Sequence, residues 1–280
     1  MSTQTGLFRP STLRSLPAYA GLTVLTAVIV FPLYYAVAGS VMTDRELTSF
    51  PPALFPSEFT LRNYADVLDA IPLIRQYFNS IFVALVVVGG AVLTSLLAAY
   101  AFVFLRFPLK NTLFALFLVT IMVPGESLII PNYLTISNLG LLDTFPALTL
   151  PFLAMGFGTF LLRQFFASFP KEIYEAARMD GCSHMRFMFS ILTPLSRPAL
   201  AALAIYAFIT TYNKYFWPLL VTRTPEMQTL QIGLSQLRSL EARDPGLILA
   251  GVTLAIIPML ILIYFFQRNI IRGLTSGSVK

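Results

Sequence analysis

Three groups of residues carry chemistry beyond holding a fold together. Glu126 is an acid inside an apolar stretch, directly after Pro124-Gly125 and five residues before Pro131. Where such a stretch is buried in lipid, a carboxylate is costly, and backbone broken by Pro and Gly is tolerated only where it lines protein or water. Glu126 is therefore a candidate for the wall of a translocation cavity, the alternative being a solvated carboxylate near an outer interface. Asn213 and Lys214 form the second group, followed by Tyr215, Trp217 and Pro218. The Asn213 amide suits a polyhydroxy solute, and the rings suit its apolar face. For Lys214 and Trp217 the plainer expectation is an interfacial belt, with the lysine snorkelling outward. The third group is Glu175-Ala176-Ala177-Arg178-Met179-Asp180-Gly181. Its carboxylate, small residues and glycine suit a helix that approaches another protein closely and then turns.

Other chemistry is excluded by what is missing. There is no Gly-x-x-x-x-Gly-Lys-Ser/Thr loop, nor any Gly-Lys pair, so the chain has no phosphate-cradling loop for ATP. One cysteine, Cys182, permits no internal disulfide, and one histidine, His184, permits no multi-histidine metal site. No metal ligands and no catalytic residues are assigned.

The elements that must position these residues are membrane spans. Of 280 residues 56% are hydrophobic and 11% charged, against about 25% charged in soluble domains. Mean hydropathy is +0.75. The apolar surplus has to face lipid. Spans of about 20 apolar residues fit 17–39, 80–104, 112–133, 144–162, 199–221 and 246–266. The first outruns the apolar core of a signal peptide, about 7–15 residues, and is expected to remain as a span. Asn79, at the head of the second, is expected to cap its helix.

Charge then sets the orientation. With the N-terminus inside, the inner segments hold 12 Lys and Arg and the outer segments six, which selects N-in, C-in. The net charge of +6 thus reports orientation, and nucleic acid is not an expected partner. The expected fold is all-α and polytopic: a cytoplasmic segment at 1–16, a six-span domain at 17–266, and a cytoplasmic tail at 267–280. Within the domain, the loop at 163–198 is read as a helix-turn-helix. Lys171–Met179 is its first helix, with Pro170 before it and Gly181 ending it. A second helix runs from Ser183 and is expected to stop before Pro194.

In that loop Ile191 follows Gly181 by ten residues, with Pro194-Leu195 and Pro198 beyond. The pattern resembles the EAA loop of membrane subunits in binding-protein-dependent ABC importers; Thr193 stands where the family prefers Leu. Leu97–Asn111, Phe157–Arg163 and the tail Arg272–Lys280 are similar to the carbohydrate-uptake branch, including its maltose-type and glycerol-3-phosphate permeases. Tyr212–Pro218 resembles that branch's Trp-Asn-acid-aromatic-Leu-Trp-Pro signature, with Tyr212 in place of Trp and Lys214 in place of the acid.

The resemblance implies a permease subunit in the cell (inner) membrane, importing a sugar or a polyol phosphate, and not itself an enzyme. Its implied partners are a second permease, two cytoplasmic ATPases that bind ATP and Mg, and an extracytoplasmic solute-binding protein. In such relatives much of the solute contact belongs to the sister permease. Glu175, Ala176, Ala177, Asp180, Gly181, Ile191 and Pro194 would couple to the ATPase, with Asp180 holding the turn at Gly181. Ser276, Gly277 and Lys280 would reach between the ATPases. A stand-alone, ion-driven carrier is the distant alternative, and it would need more membrane-depth acids than Glu126.

Overall fold

The computed structural model describes residues 12–238 and 244–275, with side chains for 17–238 and 244–266. Every regular element among them is helical. The tail residues Ser276, Gly277 and Lys280 lie outside the described residues, as does most of the N-terminal segment. The chain forms two compact units, one of residues up to Asp69 with Leu237–Leu254, the other of Ala70–Gln236 with Ala255 onward.

The first unit contains α1 (Thr12–Gly39), α2 (Asp44–Leu47) and most of α3 (Arg62–Ala70). From Pro17 to Phe31 every residue of α1 is exposed, so this apolar helix presents its whole circumference outward, as a lipid-facing element does. Its end is fixed by polar contacts. Asn63 Nδ2 donates to the carbonyls of Ser40 and Met42 at 3.0 and 2.9 Å, and Ser40 Oγ meets the Tyr64 hydroxyl at 2.7 Å. Thr43 and Glu46 make a reciprocal cap on α2. Glu46 also accepts from the Ser57 amide at 2.7 Å and from the Ser57 hydroxyl, clamping a Pro- and Phe-rich loop.

The second unit is organised around α4 (Leu73–Phe104). At about 1.5 Å per residue its 32 residues outrun the roughly 30 Å hydrocarbon core. The helix starts seven residues before Ser80, so Asn79 is not its cap: the side chain is buried, and Nδ2 donates to the Glu226 and Gln228 carbonyls, each at 2.8 Å. Small residues let other helices come close. A Cβ on Gly90 would stand 2.6 Å from the Leu153 side chain, and one on Gly158 would meet Ser95 and Leu203.

The remaining spans are broken. α5 (Lys110–Ile121), a 3-10 turn (Gly125–Leu128) and α6 (Ile129–Asn138) bend by 92°. Pro124 has no N–H and disfavours helix at Val123, which places the break. The continuous span expected over 112–133 is thus two helices at a right angle. α7 (Phe145–Thr149), continued by a 3-10 turn to Phe152, and α8 (Gly156–Ala167) bend by 42°. α9 (Lys171–Met179) is short and separate. α10 (His184–Arg186), a π turn (Phe187–Leu192) and α11 (Thr193–Leu195) form one continuous helical run. This run meets α12 (Arg197–Tyr212) at 81°. α12 stops at Tyr212, so the span expected over 199–221 is also divided, into α12 and α13 (Phe216–Val221). α14 (Leu230–Arg238) and α15 (Pro245–Thr275) complete the order. α1, α4 and α15 are each long and apolar enough to cross a membrane, and the bent pairs raise the number to as many as six.

Candidate functional site

The first candidate region is the helix-turn-helix of α9 to α11. Its turn closes through the backbone: the Gly181 N–H donates to Arg178 O at 3.1 Å and the Cys182 N–H to Ala177 O at 2.9 Å. This is the Schellman arrangement, which needs a left-handed residue at its centre, and Gly181 sits at φ +74°. The side chain that holds the turn is that of Arg178, whose Nη1 donates to Cys182 O at 2.7 Å. Asp180, expected in that role, is exposed at the helix end. The guanidinium reaches one turn forward to a carbonyl, which the short carboxylate, lacking a donor, cannot do.

The second arm does not stop before Pro194. It runs on to Leu195 because the π turn at Phe187–Leu192 widens the helix ahead of the proline. A proline in a regular helix loses one bond and clashes with the carbonyl four residues back. Opening the ladder relieves both, and Thr193 Oγ1 donates to Met188 O, five residues back, at 2.8 Å.

Both arms are anchored to the end of α4. Phe104 lies 4.9 Å from the Tyr174 ring and 5.5 Å from Phe187, and Tyr174 lies 5.1 Å from Phe187. Tyr100 and His184 share a hydrogen bond of 2.8 Å. Buried Ala177, Phe187, Met188 and Leu192 join the same core. Lys110 Nζ caps the final carbonyls of α4, donating to Val103 and Leu105 at 3.0 and 2.9 Å.

So seated, α9 is a ridge between two clefts. One, of about 1010 Å3, has Arg106, Lys110, Lys171, Glu175 and Arg178 in its wall. The other, of about 600 Å3, has Glu172, Ile173, Ala176, Asp180 and Ile191. Glu175, Ala176 and Asp180 are exposed, Ile191 is half-buried, Pro194 is exposed, and Ala177 faces inward. The turn and its flanks thus gather the expected coupling residues, with Ala177 serving the anchor.

The second candidate region lies where helices break. Asn213–Tyr215 separates α12 from α13, and Asn213 Oδ1 accepts from Gln231 Nε2 at 3.5 Å. Lys214 does not snorkel outward. Its ammonium sits 3.3 Å above the Phe152 ring, half-buried, because a quadrupole face compensates a cation where water is scarce. Trp217 is likewise packed inward, its Nε1 donating to Ala147 O at 2.9 Å. Glu126, exposed in the 3-10 turn between α5 and α6, is the charge that Lys214 feels. The two cavity candidates, Glu126 and Asn213, therefore belong to one neighbourhood with Lys214 between them electrostatically.

Asp143 holds the loop between α6 and α7 onto the end of α13. Its carboxylate accepts from the Arg223 and Thr224 amides at 2.8 and 3.1 Å and from the Thr224 hydroxyl at 2.9 Å. Burial alone would raise its pKa, but these donors outweigh that and hold it below the usual carboxylate value.

Three features escape a reading of sequence. The Tyr100–His184 bond joins residues 84 apart, Phe152 under Lys214 lies 62 positions away, and Gln231 reaches Asn213 across 18. Only the aromatic density around Leu97–Asn111 signals the first of them.

This fold and site define a class: an all-helical membrane protein with broken spans and an uncovered, rigidly anchored coupling ridge. Residues 90–276 match the family described as binding-protein-dependent transport system inner membrane component, and the chain belongs to it. Among its relatives, the sn-glycerol-3-phosphate transport system permease protein UgpE of Agrobacterium fabrum is 39% identical, covering 89% of this chain and 92% of the relative. The proteins of that name from Brucella abortus and Yersinia pestis are 37% and 36% identical at the same coverage. A crystal structure of a bacterial ABC transporter involved in import of the acidic polysaccharide alginate contains a chain of the same fold. Its TM-score is 0.82 at 23% identity, over 94% of this chain and 99% of that one. The chain is thus an inner-membrane permease of a binding-protein-dependent ABC importer.

Proposed function

We propose that this permease forms half of the translocation path for a carbohydrate-type solute, with sn-glycerol 3-phosphate or a related polyol phosphate as the first candidate. The relatives named for that solute support the choice. In this reading six spans run N-in, C-in, and the α9 ridge faces the cytoplasm. A sister permease completes the path, two ATPases bind ATP and Mg and do the hydrolysis, and an outer binding protein delivers the solute. Family membership sets aside a stand-alone, ion-driven carrier.

The single observation that carries the coupling role is the ridge itself, anchored on one side by Phe104, Tyr174 and Phe187 and open on the other at Glu175 and Ala176. Force on an open but rigid element moves whatever it is anchored to. Here that is the end of α4, and through it the unit around α4. Glu175 offers a carboxylate to a basic partner, and Ala176 permits close approach. The test is solute-stimulated ATPase of the assembled complex carrying Glu175→Lys or Gly181→Pro. The first reverses the docking charge, and the second demands φ near −65° where the turn needs +74°. Both should abolish stimulation while the chain still inserts; stimulation at the unaltered level would overturn the assignment.

A further inference from the structure

A lysine at a helix break in the membrane requires a counter-charge or a function. Lys214 has Phe152 beneath it and Glu126 as its electrostatic neighbour, and no hydrogen-bond acceptor for its ammonium among the described residues. Its three N–H donors are therefore uncommitted. Asn213 beside it keeps its own amide N–H2 uncommitted among the described residues, since its bond to Gln231 uses Oδ1. We infer that Lys214, Asn213, Gln231 and Glu126 form a recognition site in this chain for a small phosphomonoester carrying hydroxyl groups.

The chemistry divides the site by charge. A phosphate prefers the ammonium, where charge-assisted bonds are the strongest available, and Asn213 adds neutral donors. Glu126 repels the phosphate and accepts from hydroxyls, so the solute lies with its phosphate toward Lys214 and its polyol end toward Glu126. Between solutes, Glu126 compensates Lys214, so the cation is never left alone. A neutral sugar would cover Lys214 without pairing it, which the site disfavours. This inference rests on the polyol-phosphate reading above and assigns its specificity to this subunit.

The experiment uses the full importer, reconstituted in liposomes with its binding protein, and follows uptake of labelled sn-glycerol 3-phosphate. Lys214→Met should raise the KM by about tenfold to a hundredfold, the range expected for losing a charged hydrogen bond. Lys214→Arg should stay close to the unaltered importer. Co-purification of all subunits checks assembly of each variant. If Lys214→Met takes up the phosphate ester as well as the unaltered importer, or if Lys214→Arg is as impaired as Lys214→Met, the inference is overturned while the polyol-phosphate reading stands. If the unaltered importer ignores the phosphate ester and carries a neutral sugar, both fall.

Discussion

At the scale of single residues, the carboxylates here act by accepting from several donors at once. Glu46 is the strongest case: the Ser57 hydroxyl, then the Thr43 and Ser57 amides, hold its pKa down to about 2 from 4.5. A depressed folded-state value stabilises the fold above pH 4.5, and the contribution is lost as pH falls from 4.5 toward 2. Glu46→Gln keeps the shape and removes the charge. It should lower the melting temperature of the purified complex at pH 7, and the gap from the unaltered protein should narrow steadily by pH 3. A gap independent of pH would mean that the carboxylate acts through shape alone. The same logic explains why Arg178, and not Asp180, secures the coupling turn: the unpaired group there is a carbonyl, and only a donor satisfies it.

At the scale of elements, glycine positions separate backbone demands from packing demands. Gly181 has open space around a would-be Cβ but sits at φ +74°, whereas Gly158 is helical and hemmed in by Ser95 and Leu203. Gly181→Ala should therefore cost only the left-handed penalty, about 1–2 kcal/mol, and raise amide exchange locally in 178–184. Gly158→Ala should instead loosen α8 from α4 and α12, seen as faster exchange along all three helices. Equal, global effects from both would contradict this division. The coupling loop was legible in the sequence because its signals are local: Pro170 before a helix, Gly181 after it, fixed spacing to Ile191. The break near Glu126 was half-legible, since Pro124-Gly125 announces a broken ladder but not a right-angle bend. The passage of the second arm through Pro194 was not legible, because proline reads as a stop and only the π turn upstream shows how it is accommodated. Lys214 was misread for a further reason. Snorkelling is a property of a lone helix, and the Phe152 ring that captures the ammonium comes from another one.

At the scale of the whole molecule, the charge distribution and the ridge must agree on one side of the membrane. Twelve Lys and Arg lie in the segments assigned inward and six in those assigned outward, and the ridge falls among the twelve. Replacing the single Cys182 by Ser gives a background in which one new thiol reports its own side. Met179 is 83% exposed at the ridge and Ser57 lies in the loop clamped by Glu46. In that background Ser57→Cys should react with a membrane-impermeant maleimide from outside the cell, and Met179→Cys only in inverted vesicles. The ridge adds a stricter condition, because a coupling surface must be covered when its partner is present. Labelling of Met179→Cys should therefore fall several-fold in inverted vesicles once the ATPase subunits are assembled, and return when they are stripped away. Labelling from outside would reverse the orientation, and labelling indifferent to the ATPases would leave the ridge without the neighbour that its anchoring implies.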